Sequence, residues 1–276
     1  MKDEKIKIAT APTAGDDTVY HLRLKAGDVP GYMLLPGAPE RTHTIAQNWQ
    51  DPKELASYRE YKTISGHYKG MHQAATSTGI GGPSSEICLH ELHTLGVHTC
   101  IRVGSTGCIV PDYDLGDLII PVACYRKDGT SDSYIEPAFP AFANTHVTMA
   151  LMQACESLGF RYGLGLTYTV GSFYIGQGRP LYEGRQAFWP SFAEKIIPDL
   201  KTAGVTNIEM EASAQYVIGY LHGMRMGGVL SVIANRELNR WGDNGGEAKA
   251  CLAACEALKI LAGWDKQGKY QVSGKM

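Results

Sequence analysis

Apolar runs with the length of buried strands alternate with apolar stripes at helical spacing along almost the whole chain. Val97–Val103 and Gly227–Ala234 are typical of buried strands, whereas Ala214, Val217 and Ile218 recur on one face of a helix. No stretch rich in proline, glycine and serine interrupts this alternation, and no internal repeat occurs. The pattern therefore predicts a single α/β domain built on a mostly parallel or mixed sheet.

The same two periodicities predict the remaining elements. Further strands are predicted at Tyr32–Leu35, Tyr58–Tyr68, Met71–Ser77, Leu118–Cys124 and Gly163–Val170. Further helices are predicted at Arg41–Trp49, through Cys88 and Leu92, at Val147–Leu158, from near Glu211, and along the stripe from Ala248 to Leu258. The first residues are polar and irregular, so we predict a flexible arm over residues 1–17, the domain over 18–265 and a tail over 266–276.

Charge, hydropathy and cysteine usage argue against several classes of protein. Lys and Arg number 26 against 28 Asp and Glu, and no basic run occurs, which disfavours a nucleic-acid binder. No apolar stretch approaches the roughly 18 residues that cross a bilayer, and the N-terminus lacks the apolar core of a secretion signal. The seven cysteines are scattered without a Cys-x-x-Cys pair, which is typical of a reducing compartment. We therefore expect a cytoplasmic protein.

Three arginines give the first chemical signal. Arg41 follows a Pro-Gly-Ala-Pro turn, Arg59 falls within a predicted strand, and Arg102 lies near the end of a buried one. A buried arginine is costly unless it meets an anion or a carboxylate. The segment Gly104–Gly107, predicted as a loop, could add backbone N–H groups and two hydroxyls to a phosphate cradle. The alternative is a structural pair between Arg102 and a carboxylate.

Two further segments carry polar groups suited to a nucleoside. Glu209 and Glu211 flank Met210 where a helix is predicted to begin, and two carboxylates there could bind a polyhydroxyl ligand such as ribose. Gln177 and Arg179 could read the edge of a planar base, because Gln supplies both a donor and an acceptor. The alternatives are ordinary acidic bias in a first helical turn and an amphipathic loop.

Taken together, these segments resemble the nucleoside phosphorylase-I family, and within it most closely the members that act on uridine. The matching segments, in the family's order, are Pro36–Arg41, Ser57–Glu60, Ser77–Ser84, Arg102–Gly107, Phe173–Arg179, Asn207–Glu211 and Asn235–Arg236. The resemblance implies a three-layer α/β/α fold with a mixed, partly barrel-like central sheet. It also implies a dimer as the catalytic unit, usually assembled into a hexamer. The implied reaction is reversible phosphorolysis of uridine through an oxocarbenium-like transition state, with phosphate as co-substrate and no cofactor in the chemistry.

The resemblance also implies a role for individual residues. The phosphate ligands are expected to be Gly37, Arg41, Arg102, Gly104 and Ser105, with Arg59 from the neighbouring subunit. The ribose ligands are expected to be Glu209, Met210, Glu211 and, across the dimer, His21. The base is expected to contact Phe173, Gln177, Arg179, Ile233 and Arg236. Some relatives hold a potassium ion at the dimer interface, and Glu60, Ile80 and Ser84 match its ligand positions.

The chain departs from the family pattern at a few positions, and other functions remain open. Ala38, Ser105 and Ala212 replace a usual Asp, Thr and Ser, and Tyr182–Pro190 matches nothing in the family. A purine phosphorylase would want an Asp near residue 235, where this chain has Asn235. Nucleosidases of the superfamily lack the arginine cluster. A phosphorylase of another nucleoside, purine or 2′-deoxypyrimidine, and a catalytically silent nucleoside-binding protein are the remaining alternatives.

Overall fold

The computed structural model describes residues 12–15, 17–180 and 188–270. Its strands are β1 (Thr13–Gly15), β2 (Thr18–Val19), β3 (Tyr32–Pro36), β4 (Gln50–Tyr58), β5 (Tyr61–Tyr68), β6 (Met71–Thr76), β7 (Thr99–Cys108), β8 (Leu118–Lys127), β9 (Ala141–Phe142), β10 (Tyr162–Val170), β11 (Asn207–Glu209), β12 (Arg225–Asn235) and β13 (Arg240–Trp241). Its α-helices are α1 (Pro39–Ala46), α2 (Gly82–Thr94), α3 (Thr145–Leu158), α4 (Ile196–Thr202), α5 (Ala212–Leu221) and α6 (Gly246–Lys266). Single 3₁₀ turns lie at Ser131–Ser133, Ile175–Gln177 and Ser191–Glu194.

A mixed sheet, closed over part of its width, forms the middle of the molecule. Strand β12 pairs with β7 in parallel and with β8 in antiparallel, while β10 and β11 connect β8 back to β7. These five strands therefore close into a barrel. From β7 the sheet continues through β3, β6, β5 and β4, of which the first two run parallel to β7. The expectation of a mixed, partly barrel-like sheet is confirmed.

Helices cover the sheet on both sides and give the expected three layers. On one side α1, α3 and α6 pack against the sheet, and on the other α2 packs beside α5. Strand β3 contributes side chains to the cores on both sides of the sheet, because successive side chains of a strand point to opposite faces. Leu34 joins the cluster under α3 and α6, whereas Met33 and Leu35 join the cluster under α2 and α5.

Two local predictions are wrong. The predicted strand Tyr58–Tyr68 is two strands, and Arg59 lies in the turn between β4 and β5 with a φ of 56°. Strand β4 was missed because it is polar and largely exposed, as suits the edge of a sheet. The segment Gly104–Gly107 is not a loop. It belongs to β7, which continues to Cys108, and it pairs in parallel with β12. Arg102 therefore lies in mid-strand.

The division into arm, domain and tail stays a prediction, since residues 1–11, 16 and 271–276 lie outside the described residues. Residues 181–187 also lie outside them, and these include 182–187 of the segment that matches nothing in the family. Strands β1 and β2 pair with each other in a small separate sheet. Across the described ranges, no helix combines the length and apolarity needed to cross a membrane.

The N-cap of α3 provides a test of local stability. The Asn144 side chain accepts hydrogen bonds from the backbone N–H groups of His146 at 3.1 Å and Val147 at 3.3 Å. Asn144→Ala is expected to lower the free energy of unfolding by about 1 kcal/mol, because two first-turn donors lose their acceptor. Asn144→Asp should retain most of the stability. Urea denaturation measures both, and an equal loss in the two variants would contradict the capping role.

Candidate active site

One cavity of about 650 Å³ opens where β3, β6 and β11 end and β7 passes beneath them. Its size suits a small organic ligand with a second small co-substrate. Fourteen of the predicted residues line it: Gly37, Arg41, Glu60, Ile80, Ser84, Arg102, Ser105, Phe173, Gln177, Arg179, Glu209, Met210, Glu211 and Ile233. The fold thus brings together segments that are separated by up to about 200 residues in the chain, which supports a single site for the three predicted ligand groups.

A buried cluster of one arginine and two glutamates forms the floor of the cavity. Arg102 Nη2 lies 2.5 Å from Glu211 Oε2 and 3.0 Å from Glu209 Oε2, and all three residues are 5% exposed or less. Gly104 makes the position possible, since a Cβ there would meet the Arg102 guanidinium at 3.0 Å and Leu230 at 2.6 Å. The ion pair between Arg102 and a carboxylate, which the sequence left as an alternative, is therefore present.

The cluster also leaves donors without acceptors. Arg102 Nε and Nη1 and Arg41 Nε are buried and have no hydrogen-bond partner among the described residues. Both side chains line the same cavity. Leaving a buried charged donor unsatisfied costs free energy, so these nitrogens fit an anionic ligand with several acceptor oxygens.

Within the cluster, burial and the neighbouring opposite charges shift the pKa values in opposite directions. Burial raises the pKa of Glu211, Glu209 adds to the rise, and the Arg102 charge and the Gly81 N–H oppose it. Burial works to lower the pKa of Arg102, but Glu211 and Glu209 outweigh it and the net direction is upward. Arg102 is therefore held as a cation, and the cation is what makes burial of two carboxylates tolerable.

The backbone fixes both carboxylates before any ligand arrives. Glu209 Oε2 accepts from the N–H groups of Glu211 and Ala212, each at 2.8 Å, at the N-terminus of α5. The Thr169 hydroxyl donates to the other oxygen of Glu209. Glu211 Oε1 accepts from the Gly81 N–H at 2.5 Å. The backbone N–H groups at the start of α5, which have no partner within the helix, are satisfied in this way. The helix dipole also favours the negative charge there.

Arg41 enters the cavity from α1 and is held by two partners. Its Nη2 lies 2.9 Å from Glu247 Oε2 at the start of α6, and its Nη1 donates to the Val103 carbonyl at 3.2 Å. Ala38, which replaces the family's Asp, precedes α1 in an extended conformation and makes no side-chain cap. The Thr42 hydroxyl donates to the Pro39 carbonyl at 2.6 Å and steadies this turn instead.

The opposite end of the cavity carries the predicted base-reading pair. Arg179 Nε donates to Gln177 Oε1 at 3.3 Å, and the guanidinium carbon of Arg179 lies 4.6 Å from the centroid of the Phe173 ring. Arg236 stands behind this pair and donates to the backbone carbonyls of Gln177 and Gly178. Burial lowers the pKa of Arg179, and burial together with Arg179 lowers that of Arg236 to about 10. Two partly desolvated cations thus face this end.

Four predicted residues do not line the cavity. Gly104 lies beside Arg102, and Arg236 stays behind the base-reading pair. His21 is held by Glu91, with Nδ1 2.8 Å from Glu91 Oε1. Arg59 is exposed at the β4–β5 turn, where its guanidinium carbon lies 5.4 Å from the Tyr58 ring centroid.

The three positions predicted to bind potassium lie together in the lining of the cavity. The Ser84 hydroxyl lies 3.0 Å from Glu60 Oε1 and 2.5 Å from the Thr78 carbonyl. Ile80 is 77% exposed and can offer only its backbone carbonyl. These are oxygen donors, the kind that hard cations prefer. Among the described residues, no group of three or more His, Cys, Asp and Glu side chains could hold a metal ion.

Sequence reasoning missed four residues that shape the site. They are Gly81, Thr169, Trp241 and Glu247. Glu247 follows Arg41 by 206 positions, and no local spacing links the two. Trp241 lines the cavity from β13, a strand of two residues that carries no periodic signal.

The chain is similar to known enzymes over most of its length. The family model described as the phosphorylase superfamily matches residues 32–262. A uridine phosphorylase of Thermococcus kodakarensis is 48% identical over 264 residues, which is 96% of this chain and 94% of that protein. A uridine phosphorylase of Escherichia coli is 38% identical over 79% of this chain and 86% of its own length. The crystal structure of a Vibrio fischeri uridine phosphorylase in complex with 6-hydroxy-1-naphthoic acid matches with a TM-score of 0.77 and 28% identity, covering 87% of this chain and 96% of the other.

The buried cluster predicts a pH-dependent loss of stability. Arg102→Met is expected to lower the free energy of unfolding at neutral pH by about 3–5 kcal/mol, because two buried carboxylates lose their cation. Removal of the Arg102 charge raises the folded-state pKa of Glu211 further, because burial then acts unopposed by that cation. The penalty is therefore full at high pH and shrinks as the pH falls and Glu211 binds a proton. Urea denaturation at about pH 7.5 and about pH 5.5 measures the difference.

Arg41→Met is the matched control for this measurement. The Glu247 side chain is 34% exposed and can hydrate when its partner is removed, so a loss of about 1 kcal/mol or less is expected. A loss in Arg102→Met that is equally small, or that does not change with pH, would contradict the structural role of the cluster.

Proposed function

The chain belongs to the phosphorylase superfamily, and we propose that it catalyses the reversible phosphorolysis of uridine to uracil and ribose 1-phosphate. One observation carries the assignment of the site. The unpartnered nitrogens of Arg41 and Arg102 share a cavity with the Glu209–Glu211 pair and with the Gln177–Arg179 pair. Places for an oxyanion, a sugar and a planar base therefore lie in one cavity.

Phosphate binds between Arg41 and Arg102 in this proposal. Guanidinium groups match phosphate because they offer several N–H donors in a planar fork. Gly37 and Ser105 line the same end of the cavity and supply further contacts. Because Arg41 is held by Glu247 and Arg102 by the two glutamates, both donors are fixed before phosphate arrives, which lowers the entropic cost of placing the nucleophile.

Bond cleavage is led by departure of the base. Phosphate is a weak nucleophile, so the C1′–N1 bond stretches first and positive charge develops on the ribosyl ring. A phosphate oxygen then forms the bond to C1′ while the N1 electron pair leaves with uracil. Glu209 and Glu211 bind the ribose hydroxyls beside Met210, and the negative charge of phosphate stabilises the ribosyl cation. Neither a covalent enzyme intermediate nor a cofactor is needed for this exchange.

The base end stabilises uracil as it leaves with negative charge. Gln177 offers a donor and an acceptor to the pyrimidine edge, and Arg179 adds a cation. Within the described part of the chain, neither Arg179 nor Arg236 forms an ion pair with a carboxylate. The developing charge on uracil therefore meets Arg179, a cation that no carboxylate of the described residues neutralises, with Arg236 behind it.

The alternatives fit the site less well. A purine phosphorylase needs an acid near residue 235, but the Asn235 amide donates to the carbonyls of Val110 at 3.0 Å and Tyr113 at 2.5 Å and lies outside the cavity lining. A silent nucleoside-binding protein has no need for two arginines with unpartnered nitrogens.

A dimer completes the site in this proposal. Arg59 and His21 lie outside the cavity of their own chain, and Arg59 is exposed at a turn. Placed against a second copy, Arg59 would reach the neighbour's phosphate and His21 its ribose. Glu60, Ser84 and the Ile80 carbonyl would hold a structural potassium ion at that interface. The seven cysteines are free and buried, which suits a reducing compartment such as the cytoplasm.

The first test is phosphate dependence. Uracil release from uridine, followed by ultraviolet absorbance, is expected only when phosphate is present, with little turnover of inosine under the same conditions. Cleavage of uridine without phosphate would indicate a nucleosidase and contradict the proposal. Binding of uridine with no cleavage in either condition would favour the silent binder.

The second test is complementation between subunits. Arg59→Ala and Glu211→Ala proteins are each expected to lose nearly all activity. Co-refolded mixtures should recover about a quarter of wild-type activity, since half of the dimers are mixed and each mixed dimer holds one intact site of two. The control is a mixture of Arg41→Ala with Glu211→Ala, which should stay inactive because both residues belong to the same chain's site. Absence of recovery in verified mixed dimers would assign Arg59 to its own subunit or to no site.

A further inference from the structure

Glu91, on helix α2, directs its whole carboxylate at the chain segment that carries His21. The backbone N–H of Leu22 donates to Oε2 at 2.8 Å, and the N–H of His21 is shared between Oε1 at 2.9 Å and Oε2 at 3.1 Å. The His21 ring completes the set, with Nδ1 2.8 Å from Oε1. One side chain, only 13% exposed, therefore holds both the backbone and the imidazole of a single histidine.

These contacts decide which ring nitrogen of His21 carries the hydrogen. A carboxylate only accepts hydrogen bonds, so the ring must donate to Glu91 from Nδ1. In a neutral imidazole the other nitrogen then keeps a lone pair and can accept. Within the described part of the chain nothing hydrogen-bonds to Nε2, and the His21 side chain is 23% exposed. The free acceptor of this residue is therefore Nε2, on the side of the ring away from Glu91.

Packing limits the movement of the same ring. The ring centroids of Tyr20 and Tyr61 lie 4.8 and 6.1 Å from that of His21, and both rings meet the imidazole edge-on. The next residue, Leu22, is 1% exposed and belongs to the core under α2 and α5. The segment thus has an anchor other than Glu91. A change at Glu91 that keeps the backbone contacts should alter the ring without releasing the chain.

We propose that Glu91 is a positioning residue for the site of the neighbouring subunit, where it holds His21 so that Nε2 accepts a hydrogen bond from a ribose hydroxyl. This deepens the proposed function and rests on it, because the contact of His21 with the neighbour's ribose belongs to that function. Glu91 lies outside the cavity lining and acts only through the ring. The alternative is that Glu91 merely ties the backbone of this segment to α2.

Glu91→Gln separates these two roles, because an amide has one acceptor oxygen and one donor nitrogen. The oxygen is expected to replace Oε2, where the N–H groups of His21 and Leu22 need an acceptor and cannot give up their hydrogens. The amide nitrogen then faces Nδ1, and the ring can accept there by moving its hydrogen to Nε2. Thermal unfolding should therefore stay close to that of the wild type while the tautomer is reversed.

Nitrogen-15 NMR of histidine-labelled protein reads the tautomer without any substrate. His21→Ala assigns the His21 signals among those of the nine histidines. The hydrogen should lie on Nδ1 in the wild type and on Nε2 in Glu91→Gln. A wild-type ring with its only hydrogen on Nε2, or a tautomer that Glu91→Gln does not change, would overturn the proposal.

Calorimetric titration with uridine in the absence of phosphate measures the effect on binding. Glu91→Gln is expected to raise the Kd for uridine about tenfold, since Nε2 no longer accepts from the ribose hydroxyl. In His21→Ala protein the same substitution should change the Kd by less than about twofold, because its effect passes through the ring. A purely structural role would weaken binding equally with and without the ring, and that result contradicts the proposal.

Glu86→Gln is the matched control. Glu86 is also on α2 and accepts from the Tyr134 hydroxyl at 2.5 Å, so this substitution removes the same charge from the same helix away from His21. It should leave the Kd for uridine unchanged. A loss of affinity in Glu86→Gln as large as that in Glu91→Gln would assign the effect to the charge of the helix and overturn the positioning role.

The reaction and the positioning role fail in different ways. If the wild type binds uridine through Glu91 and His21 but does not cleave it with phosphate, the proposed reaction is wrong and the positioning role stands. If uridine is cleaved and Glu91→Gln binds it as tightly as the wild type, the reaction stands and the positioning role falls. Absence of both binding and cleavage in the wild type would overturn both.

Discussion

The contact of Arg102 with Glu209 and Glu211 is the interaction on which the site depends. Burying a guanidinium in the middle of a strand is costly, and burying two carboxylates is costly as well. The fold accepts both because they meet within 2.5 and 3.0 Å and because backbone N–H groups and the Thr169 hydroxyl also donate to the carboxylate oxygens. Strand β7, strand β11, the start of α5 and the loop before α2 therefore converge on one point. Their convergence fixes the geometry of the positions proposed for sugar and phosphate.

The closed part of the sheet makes this convergence possible. Strand β12 pairs with β7 and with β8, so the five barrel strands cannot spread apart, and β11 is held against β7. A three-residue strand such as β11 has few ladder hydrogen bonds of its own and takes its position from its neighbours. Closing the sheet crowds its interior. Glycine at position 104 leaves the space that the Arg102 side chain needs.

The sequence was enough to predict most residues of the site but few of the contacts between them. Periodicity alone predicted an α/β domain, because it reports which residues are buried. The three layers and most of the cavity lining were predicted from the resemblance to a known family that the ordered motifs carry. The segment Gly104–Gly107 was misread because its composition favours a loop, whereas pairing with a strand more than 120 residues later decides its structure. The Arg41–Glu247 contact and the position of Trp241 are equally long-range, and no local pattern encodes them.

Charge is graded along the cavity in a way that matches the proposed reaction coordinate. In the proposed site, Arg41 and Arg102 hold phosphate, the two glutamates in contact with Arg102 hold the sugar, and Arg179, with Arg236 behind it, faces the base. A ribosyl cation forming between an incoming dianion and a departing anion would find negative charge around it and positive charge beyond each reacting partner. Because these groups are held by the protein before the substrates bind, the field costs no reorganisation when the bond breaks. The protein achieves this by burying ionic groups whose isolated burial would destabilise the fold, which is the usual trade between stability and function at an active site.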